Sequence, residues 1–156
     1  MSKPVYILGG YQTDFAMNWS RSNQDIYDIL KATVEGALAA TDIAPHEVET
    51  AHIGNFVAEL FRGQGHLGGL FATIHPAFAG LPAARHEAAC ASSSIAALSA
   101  SAEIEAERYD LAIVIGIEEM RNVSGQQAAR NIGGPAAWNG REAQDAQFLW
   151  PSLFST

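Results

Sequence analysis

The sequence predicts an α/β protein in which strands alternate with helices and pair in a mostly parallel mixed sheet. Short apolar runs of strand length are separated by segments with apolar residues at helical spacing. The run at 111–115 is continuously apolar and rich in β-branched residues, which is typical of a strand covered on both faces. A composition that is 48% hydrophobic and 17% charged can fill a core, and 156 residues suit one domain.

The first half of the chain predicts two strands and two helices. The apolar run at 5–8 ends at a glycine pair, as expected of a buried strand that leads into a loop. In the first helix, Asn23 is a candidate cap and Asp25 favours the first turn. The elements predicted for this half are, in order, a strand at 5–8, a helix at 25–41, a strand at 50–57 and a glycine-rich helix at 63–74.

The second half predicts a strand at 83–89, a helix at 91–107 and a strand at 111–115. The helix at 91–107 carries Ala and Ser on most faces and no charge until its last turns, so we expect it to be buried on several sides. Residues 121–156 are richer in Gly, Asn and Pro. We therefore predict an α/β domain over 1–120, followed by the start of a separate loop region over 121–156.

The overall charge excludes some classes of partner. A net charge of −8 and a pI of about 4.9 argue against a nucleic-acid-binding protein, which needs Lys and Arg to displace counterions from phosphates. Neither a secretory signal nor a run of about 18 apolar residues, as a membrane span requires, is visible. We expect a soluble cytoplasmic protein, in which the single cysteine forms no internal disulfide.

That cysteine, Cys90, stands where a predicted strand passes into a predicted helix. In parallel α/β sheets this junction lies at the carboxyl edge of the sheet, where ligands bind. The unpaired N–H groups of a helix N-terminus favour a thiolate and could stabilise the oxyanion formed when a thioester is attacked. The alternative is that Cys90 is a small, inert, buried residue in a helix of small residues.

Two segments together resemble the thiolase superfamily. The first reads Glu-Ala-Ala-Cys-Ala-Ser-Ser-Ser over 87–94, and the second, over 112–120, closes in Gly116-x-Glu118-x-Met120. Thiolases likewise place a nucleophilic cysteine on a buried helix, followed by a strand that ends in G-x-E-x-M. The resemblance covers essentially the first 120 residues and implies a thiolase-like half-domain.

The resemblance also implies chemistry on coenzyme A thioesters. Cys90 would accept an acyl group and pass it to a carbanion made from a second acyl-CoA, or in reverse to free CoA. Glu118 and Met120 would shape the substrate pocket, together with Ser92 and Ser93, and no tightly bound cofactor is implied. Ser93 departs from the family pattern C-x-S-G, so it would narrow or re-aim the acyl pocket.

Thiolases also use a histidine in a G-H-P motif and a second cysteine, both in the C-terminal half of the protein. His66 and His75 lie in superficially similar dipeptides but precede Cys90, and His86 on the predicted strand would be roughly 13 Å from it. We therefore expect a C-terminal thiolase half, downstream or on a partner chain, and a homodimer or larger oligomer. The apolar face meant for such a partner would make the chain associate on its own.

Two other functions remain open on the sequence. One is a non-catalytic thiolase-like subunit that binds a partner or acyl-CoA without turnover. The other is a ketosynthase-type condensing enzyme, which takes acyl groups from a carrier protein. The G-x-E-x-M segment favours a thiolase over a ketosynthase.

Overall fold

A computed structural model describes residues 4–133, and in this part of the chain three parallel strands are packed against helices. The alternating α/β class predicted from the sequence is confirmed. The elements are α1 Ile26–Thr41, β1 Thr50–Gly54, α2 Ala58–Arg62, α3 Leu67–Ala72, β2 Ala83–His86, α4 Ser92–Glu105, β3 Ala112–Gly116 and α5 Gly125–Ile132. None of the described helices is long and apolar enough to cross a bilayer.

The sheet has the order β2-β1-β3, with β1 in the centre. At the carboxyl end, Gly54 of β1 is in register with His86 of β2 and with Gly116 of β3. Every residue of β1 is buried, so this strand is covered on both faces and does not alternate between core and solvent. All three strands end at one edge, which is where a parallel sheet presents its ligand site.

One face of the sheet carries the hydrophobic core. Ala51 and Ile53 of β1 and Ile115 of β3 point to this face and pack with apolar residues of α1 and α3 and of the loop after α3. The stacked rings of Phe71 and Phe78, with centroids 4.5 Å apart, fill its far side. The most deeply buried side chains contributed by the helices and the loop are Leu30, Val34, Leu67, Phe71 and Phe78.

The start of α1 is fixed by a reciprocal capping box. The Asp25 carboxylate accepts hydrogen bonds from the first-turn N–H groups, and the Asp28 carboxylate accepts one from the Asp25 N–H at 2.9 Å. The proposed cap at Asn23 is therefore wrong. Asn23 instead adopts a left-handed conformation that ends the preceding 3-10 turn Trp19–Ser22.

Helix α4 covers the opposite face of the sheet with small side chains. Ser92, Ala96 and Ala100 are its buried residues. The expected burial on several sides is not found in residues 4–133, since Leu98 is 65% exposed and Ile95 39%. Small residues let α4 approach the sheet closely, but no described element covers its outer face.

A polar network lies between this face of the sheet and α4. The His52 Nε2 atom is 3.0 Å from Glu103 Oε2, and the His52 Nδ1 atom is 2.9 Å from His86 Nε2. Because a carboxylate only accepts hydrogen bonds, two neutral rings would donate in one direction along the network. His86 Nε2–H would donate to His52 Nδ1, and His52 Nε2–H would donate to Glu103. Burial, helped by the neighbouring His52 and opposed by Glu103, lowers the pKa of His86. The network joins β1, β2 and α4.

The predicted strand at 5–8 is absent from the structure. Residues 5–8 are exposed, with Ile7 at 95%, and they pair with none of the three strands. A strand needs a neighbour to accept and donate its ladder hydrogen bonds, and an apolar run alone does not supply one. The glycine-rich stretch contains α3 alone, and the strand predicted at 50–57 ends at Gly54.

Helix α5 was not predicted, and it packs beside α2, where the Asn131 amide donates to the Leu60 carbonyl at 2.9 Å. The aromatic segment at 143–154 lies outside the described residues.

Candidate active site

Asn55 ties together the carboxyl ends of the three strands. Its backbone N–H donates to the His86 carbonyl at 3.1 Å, and its side-chain amide donates to the Ile117 carbonyl at 2.8 Å. Its side-chain oxygen accepts the Ala58 N–H at the start of α2. The side chain is 1% exposed, so these hydrogen bonds are shielded from water. Asn55 therefore holds the carboxyl ends of the three strands in fixed positions relative to one another.

Cys90 lies in a 3-10 turn, Ala89–Ala91, between this edge and α4. Its side chain is exposed. The interpretation of Cys90 as a small buried residue is therefore wrong. The thiol is accessible and adjacent to the first turn of a 14-residue helix, whose dipole favours negative charge at that end.

The structure brings all five sequence-predicted site residues around one pocket of about 400 Å³. Cys90 comes from the 3-10 turn before α4 and the two serines from the first turn of α4, while Glu118 and Met120 come from the segment after β3. The lining is completed by residues from the sheet edge and from the turn before Cys90, namely Gly54, Phe56, Ala89, Gly116 and Ile117. The pocket is therefore a cleft between the helix start and the carboxyl ends of β1 and β3.

Two glycines allow α4 to sit directly on this edge. A Cβ at Gly54 would lie 2.5 Å from the Ser93 backbone nitrogen, which is closer than any such contact allows. A Cβ at Gly116 would overlap the Ser93 hydroxyl. Gly54 and Gly116 are neighbours across β1 and β3, so together they form one notch into which Ser93 fits.

The two serines of the pocket differ in what their hydroxyls contact. Ser92 is 4% exposed, and its Oγ donates to the Ala89 carbonyl at 2.7 Å while accepting the Ala88 N–H. A hydroxyl has one proton, so Ser92 has no donor left for a substrate. Ser93 is exposed and lies over Gly116, so its hydroxyl is part of the pocket wall.

Glu118 joins two loops on the opposite side of the pocket. Its carboxylate accepts the Phe56 N–H, and the Phe56 carbonyl accepts a hydrogen bond from Arg85 at 2.6 Å. The side chain is open to the pocket, but protein atoms surround it elsewhere. This desolvation raises the pKa of Glu118, against the lowering effect of backbone hydrogen bonds from Phe56 and Val57. Glu118 therefore holds in place the loop that contains Phe56, which lines the pocket.

The next residue, Glu119, does not line the pocket and instead binds residues behind the pocket wall. It is 6% exposed and accepts the Arg62 Nε–H at 2.6 Å and the Ser20 hydroxyl at 2.7 Å. This hydrogen bond with Glu119 raises the pKa of Arg62. The ion pair connects the segment after β3 to α2 and to the 3-10 turn before α1.

No histidine lines the pocket within residues 4–133. His86 is bound to His52 under α4, and His75 Nδ1 accepts the Ala77 N–H at a 3-10 turn. His66 lies at the start of α3, against Gly69. A histidine base for Cys90 is therefore not found among the described residues, and the ionisable side chain that shares the pocket with Cys90 there is Glu118.

Sequence reasoning missed Gly54, Asn55, Phe56 and Ala89. A glycine inside a predicted strand is a signal for close approach of another backbone, and Gly54 carried it within the strand predicted at 50–57. Asn55 follows that glycine, and because Asn is depleted in strands and common in turns, it indicated that the strand ends before residue 57. Phe56 and Ala89 had no sequence signal, since only the tertiary structure places them beside Cys90.

The fold and the site define an α/β protein with an accessible thiol at the start of a helix, over the carboxyl edge of a parallel sheet. Comparison with known proteins agrees with this class. A family model of the thiolase N-terminal domain matches residues 5–150. The chain belongs to the thiolase family.

Two acetyl-CoA acetyltransferases are similar to this chain. That of Methanocaldococcus jannaschii is 33% identical over 155 residues, which cover 98% of this chain and 37% of the relative. That of Methanothermobacter thermautotrophicus is 30% identical over 153 residues, covering 98% of this chain and 38% of the relative. The chain therefore spans less than two fifths of the length of these relatives.

We predict that Gly116→Ala destabilises the fold by about 1–3 kcal/mol, because the new methyl group overlaps the Ser93 hydroxyl. Adding Ser93→Ala should recover most of this loss. Gly54→Ala should not be rescued in this way, because its methyl group meets the Ser93 backbone. Urea unfolding of the single and double variants measures these free energies, with Gly10→Ala as the control at an open position. A double variant no more stable than Gly116→Ala would contradict the notch.

A second prediction concerns pH. A carboxyl with a raised pKa in the folded state binds more protons than in the unfolded state, so its contribution to stability is present at low pH and is lost as pH rises. The unfolding free energy of the wild type, relative to Glu118→Gln, should therefore fall as pH rises from about 4.3. Urea unfolding of the wild type and of Glu118→Gln, measured at increasing pH from that value, tests this prediction. Glu105→Gln, on the exposed side of α4, is the matched control substitution. A constant difference, or one that grows with pH, would contradict the desolvation of Glu118.

Proposed function

We propose that this chain supplies the nucleophile-bearing part of a thiolase-type acyltransferase, with Cys90 as the residue that accepts the acyl group. The observation that carries the proposal is the pocket, in which an exposed thiol faces the residues of the G-x-E-x-M segment. The match to the thiolase N-terminal domain supports the same reading.

In the first step the Cys90 sulfur attacks the carbonyl carbon of an acyl-CoA, and the carbonyl oxygen becomes negatively charged. The positive end of the α4 dipole lies on the same side of the pocket and favours that charge. The carbonyl reforms as the CoA sulfur leaves and takes a proton, which produces an acyl-enzyme. The acyl group then passes to the carbanion of a second acyl-CoA, or in reverse to the thiol of CoA.

The histidine and the second cysteine that thiolases use for proton transfer are not among the described residues of the pocket. The chain contains one cysteine, and no histidine lines the pocket within residues 4–133. We propose that a C-terminal thiolase half, downstream or on a partner chain, brings a histidine and a second cysteine to Cys90. The exposed outer face of α4, with Ile95 and Leu98, suits the surface that such a half would cover.

We propose that the acyl group accepted by Cys90 is acetyl. The two relatives described above are named for acetyl-CoA. Ser93 stands over Gly116 inside the pocket, where it takes space from a longer acyl chain. Acetyl-CoA is therefore the first substrate to test.

A non-catalytic thiolase-like subunit is the second candidate function. The absence of a histidine from the described pocket favours it, since such a subunit could bind acyl-CoA or a partner without turnover. The ketosynthase-type alternative has no support from the comparisons, which match a thiolase domain.

Intact-mass measurement of the native protein after brief exposure to acetyl-CoA and to longer acyl-CoAs tests the proposal. We expect one acyl adduct per chain that is absent from Cys90→Ser, formed by the chain alone or once a C-terminal thiolase half is supplied. An adduct only in the presence of that half would define an incomplete enzyme. No adduct on folded protein in either case would favour the non-catalytic subunit.

A further inference from the structure

The residue immediately before Cys90 has an unusual backbone conformation. Ala89 has a φ of 48°, in the left-handed region that residues with a Cβ rarely adopt. It stands between β2 and α4, so its conformation sets the direction in which the chain presents Cys90. A conformation of this kind persists only where surrounding contacts hold it.

Ser92 makes hydrogen bonds on both sides of that residue. Its Oγ accepts the Ala88 N–H at 3.0 Å and donates to the Ala89 carbonyl at 2.7 Å. The side chain is 4% exposed, so water does not easily replace either bond. The Ala89 N–H donates to Glu87 Oε1 at 2.7 Å, but Glu87 is exposed and water competes for this bond.

We propose that Ser92 is a positioning residue, whose hydroxyl holds Ala89 in the left-handed conformation and thereby aims the Cys90 thiol into the pocket. This role differs from contact with the acyl group, since the only proton of the Ser92 hydroxyl is already donated to Ala89. The proposal rests on the proposed function in one respect, which is that Cys90 is the reacting thiol.

The test is the rate at which iodoacetamide alkylates Cys90 at one fixed pH, followed by intact mass. We expect Ser92→Ala to slow alkylation about tenfold, because the relaxed turn carries the sulfur away from the start of α4. Ala89→Gly alone should react like the wild type, since glycine adopts positive φ without penalty. The double variant Ser92→Ala/Ala89→Gly should recover most of the lost rate, since glycine reaches the positive φ without help from the Ser92 hydroxyl. Ser94→Ala, on the exposed side of α4, is the matched serine control.

Because glycine at position 89 also relieves the strain of a positive φ, urea unfolding of each variant is measured alongside the alkylation rate. A rate that recovers without following the unfolding free energy separates positioning from a general loss of stability. A wild-type rate in Ser92→Ala, or a double variant that stays slow, would overturn the proposal. If circular dichroism shows that Ser92→Ala does not fold, the double variant decides. A folded and reactive double variant supports the proposal, and an unfolded one overturns it. Iodoacetamide needs no acyl-CoA, so these outcomes do not depend on whether acyl transfer is observed.

Discussion

The contact on which the site depends is the direct seating of α4 on the carboxyl edge of the sheet. Gly54 and Gly116 leave a notch across β1 and β3, and Ser93 fills it with its backbone at Gly54 and its hydroxyl at Gly116. This contact fixes the distance between helix and sheet, and therefore the width of the pocket between them. Asn55 holds the three strand ends in place, so the notch has a rigid base.

Around this contact, charged and polar residues act mainly as supports. Glu118 holds the loop of Phe56, Glu119 pairs with Arg62 behind it, and Ser92 holds the turn before Cys90. Each of these side chains makes its hydrogen bonds within the protein. The Cys90 thiol, by contrast, is exposed in the pocket, where the Ser93 hydroxyl and one side of the Glu118 carboxyl group are also accessible.

The sequence predicted α1 and β3 because their apolar residues follow the pattern of an amphipathic helix and of a buried strand. It predicted β2 and α4 from their place in the alternating order, since neither has an apolar period. The prediction failed at residues 5–8, because this apolar run has no neighbouring strand in the described part. It also failed at the outer face of α4, because a helix of small residues can be exposed or buried and its composition does not distinguish the two. The five pocket residues were found through two motifs. Phe56 and Ala89 were not, since their role comes from tertiary proximity and from one backbone torsion.

The central claim is that the folded chain presents Cys90 as an accessible thiol in a formed pocket. Alkylation of Cys90 by iodoacetamide in the native protein, compared with the same chain in urea at the same pH, tests it most directly. The account predicts that native Cys90 reacts at least as fast as unfolded Cys90, at a rate independent of global unfolding. Native alkylation that is slow and tracks the unfolded fraction would show a buried, inert cysteine and would contradict the account.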